Sequence, residues 1–343
     1  MRRLAPLILA GCATLADGAP GLDNPPSARA GPFRLLGVGE LGQERVPPNA
    51  VDDPTFALRN PSILDVDGDP ATLAIEGYFA ASEDDAGPLA PSTRIVRLTA
   101  ADGRSFARDA TVVLTADPAL GWQGGTVGAP SVVLGADGER RLYFDSAGGI
   151  GLAIDAGDGF EVLPEPVLTP DHAAWATGPL SSPGVVLVPG LGYRLYFESE
   201  VDGVSVIGVA SSVDGVAFEQ ATVAITPGGA EDIDGAYVGS PSAAVGESAE
   251  GREIVFVYYT ARSRADKQSI SMAAWFVDEP LDLDKSGAAM YGPSGGVLVR
   301  EPSVVRFDTF TLLFSSQKKA RDNEELVVTV GVSPGNIELP PAE

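Results

Sequence analysis

Short apolar runs, rather than long stripes at helical spacing, form the hydrophobic pattern of this chain. Five of these runs follow a proline that usually has serine after it: residues 60–64 (NPSIL), 129–133 (APSVV), 182–186 (SPGVV), 240–244 (SPSAA) and 301–305 (EPSVV). Runs of this length and composition are typical of strands. Because they recur at intervals of about 50–70 residues, they indicate a repeated β unit.

The rest of each unit repeats as well. An aromatic-rich run follows at residues 142–146 (LYFDS), 195–199 (LYFES), 255–259 (VFVYY) and 312–316 (LLFSS), with a weaker copy at 77–79 (GYF). Three units then carry an Asp-Gly pair, which suits a tight hairpin turn. Five units of three to four strands predict an all-β, five-bladed β-propeller with blades starting near residues 60, 129, 182, 240 and 301. A β-sandwich with fortuitous Pro-Ser pairs is the alternative.

Composition is consistent with one large domain. The chain has 343 residues, of which 44% are hydrophobic and 20% charged, and its 41 glycines and 28 prolines fall between the predicted strands. We expect a single propeller domain over residues 30–343, in a monomer. A formal net charge of −24 repels phosphate backbones, so we expect no nucleic-acid partner.

The first residues carry a targeting signal. Arg2 and Arg3 precede an apolar stretch, residues 4–10, which predicts a signal peptide over residues 1–11. The Leu-Ala-Gly-Cys sequence that ends at Cys12 resembles the lipobox of bacterial lipoproteins. That resemblance implies lipidation of Cys12, a flexible tether over residues 12–29 and, with Ala13 following, sorting to the outer membrane. We expect an extracytoplasmic protein that contacts the membrane only through this lipid anchor. An ordinary signal peptide or a misread start is the alternative.

The five blades, each starting with x-Pro-[Ser/Gly]-apolar, resemble the five-bladed glycosidase superfamily of arabinanases, β-xylosidases, invertases and levansucrases. The resemblance covers roughly residues 50–335 and consists of architecture and strand-start residues. It implies a pocket at one axial mouth. It also implies an Asp before the blade-one proline as base or nucleophile, a Glu early in a middle blade as acid, and a further Asp that tunes the pKa of that acid.

The positions that this resemblance singles out have mostly lost their acids. The residues before the five prolines are Asn60, Ala129, Ser182 (preceded by Ser181), Ser240 and Glu301. Only Glu301 keeps a carboxylate, whereas glycoside cleavage requires two carboxyl groups about 5–9.5 Å apart. The sequence therefore indicates degenerate catalytic positions and leans against an enzyme, without deciding the question.

A second acid has two candidates in the connections into the blades. Asp234 lies shortly before blade four, and Asp171 lies beside His172, the single histidine, before blade three. Either is a possible catalytic partner of Glu301. The alternative is that Asp234 caps a turn and that Glu301 pairs with Arg59 or Arg300. With no second histidine, a zinc site has no support.

The same connections supply candidate ligand-binding residues. We predict a sugar-binding cup formed by Arg59, Asn60, Trp122, Gln123, Trp175 and Tyr237. Sugar C–H faces stack on aromatic rings while hydroxyls need fixed polar partners, which this mixture supplies. The alternative is that the rings plug the channel and pack between blades.

An Asp-rich segment after the first proline run resembles calcium loops. Asp65, Asp67 and Asp69 offer oxygen ligands at alternating positions, but Pro70 stands where such loops have Gly. A plain hairpin turn explains the segment equally, so we expect no cofactor and keep Ca²⁺ as the alternative.

Three classes of function remain. We expect an envelope-anchored propeller that binds carbohydrate or another ligand at its axial pocket without catalysis. The alternatives are an active glycoside hydrolase that uses Glu301 with Asp234 or Asp171, and a protein-interaction scaffold. A mouth lined by Trp122, Trp175 and Tyr237 favours binding, whereas close carboxylates at that mouth favour hydrolysis.

Overall fold

The computed structural model describes ten stretches of the chain: residues 29–41, 49–51, 56–66, 72–83, 91–106, 110–157, 159–248, 251–292, 297–319 and 326–335. Within these stretches the secondary structure is almost entirely strand, with short 3-10 turns at Val38–Leu41, Gly121–Gln123 and Pro170–His172. No helix in this part of the chain is long and apolar enough to cross a membrane.

The described part of the chain contains twenty strands. They are β1 (Arg34–Leu35), β2 (Phe56–Asp65), β3 (Ile75–Glu83), β4 (Arg94–Ala100), β5 (Thr111–Thr115), β6 (Gly128–Leu134), β7 (Arg140–Ser146), β8 (Gly149–Asp155), β9 (Phe160–Val162), β10 (Ser181–Val188), β11 (Gly192–Val201), β12 (Val204–Ser212), β13 (Thr222–Ile225), β14 (Tyr237–Glu247), β15 (Glu253–Arg262), β16 (Gln268–Phe276), β17 (Asp284–Lys285), β18 (Val297–Arg306), β19 (Thr311–Lys319) and β20 (Leu326–Ser333).

These strands form five antiparallel four-stranded sheets, which are the blades of a five-bladed β-propeller. Blades 1 to 4 each consist of four consecutive strands: β2–β5, β6–β9, β10–β13 and β14–β17. Blade 5 takes β18, β19 and β20 from the end of the chain and its outer strand, β1, from the beginning. The predicted all-β propeller is confirmed. The closure by β1, which ties the first described residues to the last blade, was not predicted.

Each Pro-led motif lies inside the innermost strand of its blade, at a β-bulge. The strand register shifts across the proline in every blade, for example between Arg59 and Ser62 in blade 1 and between Arg300 and Ser303 in blade 5. The residue before each proline has a positive φ, between 29° and 59°. Bulges change the direction of side chains, and non-glycine residues rarely adopt positive φ. Because all five blades have this conformation at the same level of the ring, it is a repeated structural feature and a candidate location for a functional site.

The serine after the proline joins one blade to the next. The hydroxyl oxygen of Ser62 accepts a 2.9 Å hydrogen bond from the backbone N–H of Val132 in blade 2. Ser131 accepts equivalently from Val185, and Ser303 accepts from Ile63, which closes the ring. The repeated Pro-Ser pair therefore has a structural cause, since it satisfies buried N–H groups that face the axis.

Hydrophobic packing between neighbouring blades forms the core. The second strand of each blade contributes fully buried aromatic rings, including Phe79, Phe144, Phe197, Phe256 and Phe314. Separate clusters fill the space between adjacent sheets, and one of them joins blade 5 to blade 1. This packing fixes the five bulges around one axis and so positions the site.

Candidate functional site

A polar cavity of about 370 Å³ opens at the level of the five bulges, on the side of blades 3, 4 and 5. Its lining residues are Ser181, Ser182, Glu198, Tyr237, Ser240, Thr260, Arg262, Gln268, Arg300 and Glu301. The next residues of the innermost strands, the prolines and their successors, line an axial channel of only about 50 Å³. The cavity is within the size range of small-ligand sites, whereas the channel beyond it is too narrow for a sugar.

Glu301 lies at the bulge of blade 5, where it lines the cavity. Its Oε2 accepts a 3.1 Å hydrogen bond from the Asn60 backbone N–H, and its Oε1 lies 3.0 Å from the Arg300 Nε. The backbone N–H of Glu301 donates to the Thr260 hydroxyl. The ion pair with Arg300 agrees with the alternative considered from the sequence.

Glu198 is the second carboxylate of the cavity, and the sequence did not single it out. It lies on β11, where its Oε1 accepts a 2.8 Å hydrogen bond from the Tyr237 hydroxyl and its Oε2 accepts a 3.0 Å bond from the Ser240 N–H. Burial raises the pKa of Glu198, the two hydrogen bonds oppose that shift, and the nearby charges of Asp145 and Glu301 add to it. Unlike Glu301, Glu198 has no ion-pair partner among the described residues.

Asp145 is a third acid next to the cavity. Its Oδ2 accepts a 2.8 Å hydrogen bond from the Ser182 N–H, and burial raises its pKa, against which that hydrogen bond and the charge of Arg59 act. Burial in turn lowers the pKa of Arg59, while the charges of Glu301 and Asp145 raise it. These mutual effects show that Asp145, Glu198, Glu301 and Arg59 belong to one electrostatic cluster.

The acids missed from the sequence occupy one repeated position. The residue on the second strand that pairs with the position two before each proline is Ala80, Asp145, Glu198, Thr260 or Ser316 in blades 1 to 5. Side chains from this row in blades 2, 3 and 4 accept the N–H of the positive-φ residue in the next blade. The sequence signal was present, because LYFDS and LYFES carry their acids at the same place in two units.

The predicted ligand-binding residues separate into two groups. Tyr237 lines the cavity, and Arg59 and Asn60 adjoin it through Glu301. Trp122 stacks on Phe144 and donates from its Nε1 to the Pro164 carbonyl, so its ring packs on blade 2.

Trp175 repeats that arrangement on blade 3. Its ring stacks on Phe197, and its Nε1 donates to the Ala221 carbonyl. Gln123 is buried, and its Oε1 accepts from the Asp117 N–H. Trp122, Gln123 and Trp175 therefore lie outside the cavity lining, and the two tryptophans pack on blades as the alternative interpretation had it.

Neither candidate partner of Glu301 lines the cavity. Asp234 is buried, and its Oδ2 accepts from the Tyr259 hydroxyl at 3.0 Å and from the Lys285 Nζ at 2.8 Å. Its other oxygen accepts from the Gly228 N–H, as in a turn cap. Asp171 is exposed on the turn Pro170–His172, where the His172 ring contacts the Thr169 hydroxyl.

The other predicted sites lie partly or wholly outside the described residues. Asp65 ends β2, whereas Asp67 and Asp69 are outside the described part of the chain, as is Cys12 with residues 1–28. Among the described residues, no group of three or more His, Cys, Asp or Glu side chains is placed to hold a metal ion.

Comparison with known proteins shows the fold. No protein-family profile matches the chain, and no curated protein matches its sequence. A thermostable family-43 glycoside hydrolase superposes with a TM-score of 0.62 at 15% identity, over 85% of this chain and 97% of that one. A glycosyl hydrolase from Bacteroides ovatus superposes with a TM-score of 0.61 at 14% identity, over 91% and 96%.

A third similar structure belongs to a study of the GH130 family of mannoside phosphorylases, said to contain glycoside hydrolases that target β-1,2-mannosidic linkages in Candida mannan. It superposes with a TM-score of 0.63 at 13% identity, over 91% of this chain and 96% of that one. The chain therefore has the five-bladed propeller fold of glycoside hydrolases, and the resemblance stated from the sequence is confirmed at the level of fold.

Proposed function

We propose that this protein is a glycoside hydrolase in which Glu198 is the general acid and Glu301 the base or nucleophile. The observation that carries the proposal is that two carboxylates in opposite environments line one sugar-sized cavity. Glu301 is paired with Arg300, whereas Glu198 is partly buried, has no cation partner among the described residues, and has a raised pKa. Two carboxyl groups in different environments at one site are the pattern of an acid and a base in glycoside cleavage.

The protonated Glu198 gives its proton to the glycosidic oxygen as the bond to the anomeric carbon breaks. Glu301 then acts at the anomeric carbon, directly or by activating a water molecule. The hydroxyl of Tyr237 and the N–H of Ser240 fix the orientation of the acid, and Arg300 and the N–H of Asn60 fix that of the base. Catalysis needs such supporting contacts because small misplacements of reacting groups are costly.

This assignment departs from the non-catalytic function expected from the sequence. That expectation depended on tryptophans at the mouth and on a single remaining acid. Trp122 and Trp175 pack on blades, and Glu198 supplies a second acid. Carbohydrate binding without hydrolysis stays the second candidate, because all four oxygens of the two carboxylates already contact protein donors or a cation.

The test uses hydrolysis of paired substrates by purified protein. Glu198→Gln, Glu301→Gln and the exposed control Glu219→Gln are assayed on a panel of oligosaccharides and of aryl glycosides with good leaving groups. Loss of an acid or base costs on the order of 10²- to 10⁴-fold in rate. Glu301→Gln is expected to lose activity on both substrate types. Glu198→Gln is expected to lose it mainly on oligosaccharides, since a good leaving group needs no proton.

The outcomes separate the three functions. Cleavage that needs both glutamates supports the hydrolase. Saturable sugar binding by calorimetry with no cleavage by the wild type supports the binding propeller. The absence of both directs attention to a protein-interaction scaffold.

Lipid anchoring at Cys12 is part of the same proposal. The lipobox-like sequence supports it, and an extracytoplasmic enzyme on the envelope meets polymeric sugars before they are imported. Mass spectrometry of the protein expressed in a Gram-negative host is expected to show a lipidated Cys12 as the mature N-terminus. A Cys12→Ala variant is expected to leave the membrane fraction.

A further inference from the structure

Two arginines from blades 4 and 5 line the cavity together with Glu198 from blade 3. Arg262 ends β15 in blade 4, and Arg300 lies two residues before the proline in blade 5. The chain carries a net charge of −24 with only 23 basic residues in 343. Two guanidinium groups in one cavity of about 370 Å³ are therefore a concentration of positive charge that the composition does not explain.

The protein contacts of Arg262 and Arg300 occupy only some of their N–H donors. Within the described residues, Arg300 makes one charge contact, from its Nε to Glu301. Arg262 stacks over the Tyr237 ring at 5.6 Å and reaches the Asp266 carboxylate at 3.4 Å, but the Asp266 side chain is 79% exposed, so this pair is weak. A guanidinium has five N–H donors, and among the described residues most of those on Arg262 and Arg300 have no protein acceptor.

The charge balance of the cavity points the same way. Arg300 pairs with Glu301 at 3.0 Å, and Arg262 lines the same cavity beside the Tyr237 ring. Burial disfavours the ionised forms of Glu198 and Asp145, which weakens their negative contribution. A neutral sugar has no group that pairs with two guanidinium side chains in one cavity, whereas a sugar that carries a carboxylate has one.

We infer that Arg262 and Arg300 form a subsite for the carboxylate of an acidic sugar, so that the ligand is a uronic-acid residue of an anionic glycan. The inference deepens the proposed function and rests on the same cavity. A carboxylate accepts two parallel N–H bonds from a guanidinium, which gives geometric specificity as well as affinity. Binding the carboxylate on the wall formed by blades 4 and 5 leaves the rest of the sugar facing Glu198 on blade 3.

The test compares sugars that differ only at C6. Binding of glucuronate, galacturonate and mannuronate is measured by calorimetry against glucose, galactose and mannose, with wild-type protein and with Glu198→Gln, which holds no catalytic acid. At least one acid is expected to bind about tenfold or more tightly than its neutral counterpart. Arg300→Gln and Arg262→Gln are expected to remove that preference, and Arg194→Gln, on β11 of blade 3 but not in the cavity lining, is expected to keep it.

Two further controls separate recognition of the sugar acid from loss of folding and from simple attraction of anions. Arg300→Lys keeps the positive charge but loses the paired N–H donors of the guanidinium, so it is expected to retain part of the preference for acidic sugars. It replaces Arg300→Gln in the test if that variant does not fold. Inorganic phosphate and acetate serve as free anions. Equal affinity for acidic and neutral sugars, no binding of any acid, or tighter binding of phosphate than of every uronate would overturn the inference.

The two proposals fail in different ways. Hydrolysis of neutral glycosides but not of uronides leaves the proposed hydrolase standing and overturns the uronate subsite. Arginine-dependent binding of a uronate, with no cleavage of any glycoside, supports the subsite and removes the hydrolase.

Discussion

The hydroxyl of Tyr237 in blade 4 donates a 2.8 Å hydrogen bond to Oε1 of Glu198 in blade 3. This contact crosses the boundary between two blades at the edge of the cavity. Burial raises the pKa of both groups, and their hydrogen bond favours the ionised form of Glu198. The packing of two blades therefore controls the protonation of the proposed acid.

Removing that hydrogen bond is expected to shift the pH dependence of hydrolysis. In Tyr237→Phe, the ionised form of Glu198 loses a donor, so the pKa of Glu198 rises further. A general acid must be protonated, and its activity is lost as pH rises through its pKa. The alkaline limb of kcat/KM against pH is therefore expected to move to higher pH. A shift to lower pH would contradict the role of Glu198.

Tyr143→Phe is the matched control for that profile. The Tyr143 hydroxyl donates to the Gly215 carbonyl, in a buried contact between blades 2 and 3 that is not part of the cavity. Its removal is expected to change stability without moving the pH profile.

The stability of the fold is expected to depend on pH through Glu198. Because burial raises its folded-state pKa above the unfolded value, its contribution is fully present below the unfolded pKa of about 4.3 and is lost as pH rises through the folded pKa. Glu198→Gln removes this loss. The variant is expected to melt at a higher temperature than wild type near pH 8, with the difference vanishing near pH 4. A variant less stable at pH 8 would show that the ionised carboxylate stabilises the fold.

Gly239 makes room for the Tyr237–Glu198 contact. A Cβ at this position would overlap both the Tyr237 hydroxyl and the Oε2 of Glu198. Gly239→Ala is therefore expected to displace the acid, with a loss of catalysis of about 10²-fold or more and of stability of about 1–3 kcal/mol. Gly121→Ala is the control, because a Cβ there meets no atom within 4 Å. Both variants are compared with the wild type by kcat/KM and by the midpoint of denaturation. A Gly239→Ala protein with wild-type activity and stability would contradict the close contact seen at this position.

The serine ring around the axis is expected to contribute to stability one blade at a time. Ser303→Ala leaves the buried N–H of Ile63 without its acceptor, at a cost of about 1–3 kcal/mol. Ser242 occupies the same position in blade 4 but makes no such bond to the next blade among the described residues, so Ser242→Ala is expected to cost less. Equal losses in urea denaturation would show that the hydroxyls act through packing alone.

Trp122 is expected to stabilise blade 2 without contributing to ligand binding. Its half-buried ring stacks on Phe144, and truncation to Ala is expected to cost about 2–4 kcal/mol. Sugar affinity of the folded variant is expected to equal that of the wild type, because the ring lies outside the cavity. Val213→Ala, at a side chain that is 89% exposed, is the control for the denaturation series. A folded Trp122→Ala protein that has lost its affinity for sugar would show that Trp122 takes part in ligand binding.

The sequence by itself determined the repeat, the strand class and the number of blades. These follow from local chemistry: a proline that breaks the ladder, a serine that accepts across it, and apolar runs that need a neighbouring sheet to bury them. The expected pocket at one axial mouth, and Glu301 next to its proline as a candidate, came instead from the resemblance to the propeller glycosidases.

Only the tertiary structure decided which side chains meet at the cavity. Glu198 and Asp145 lie on the second strands of their blades, β11 and β7. Their local sequence does not distinguish them from other acidic residues on strands, because it does not show that these strands bring them to the cavity. Asp234 was expected near Glu301 because it lies in the connection into blade 4, but it pairs with Lys285. Linear spacing records which residues share a strand, whereas the contacts between blades, made only when the ring closes, set which charges are buried together.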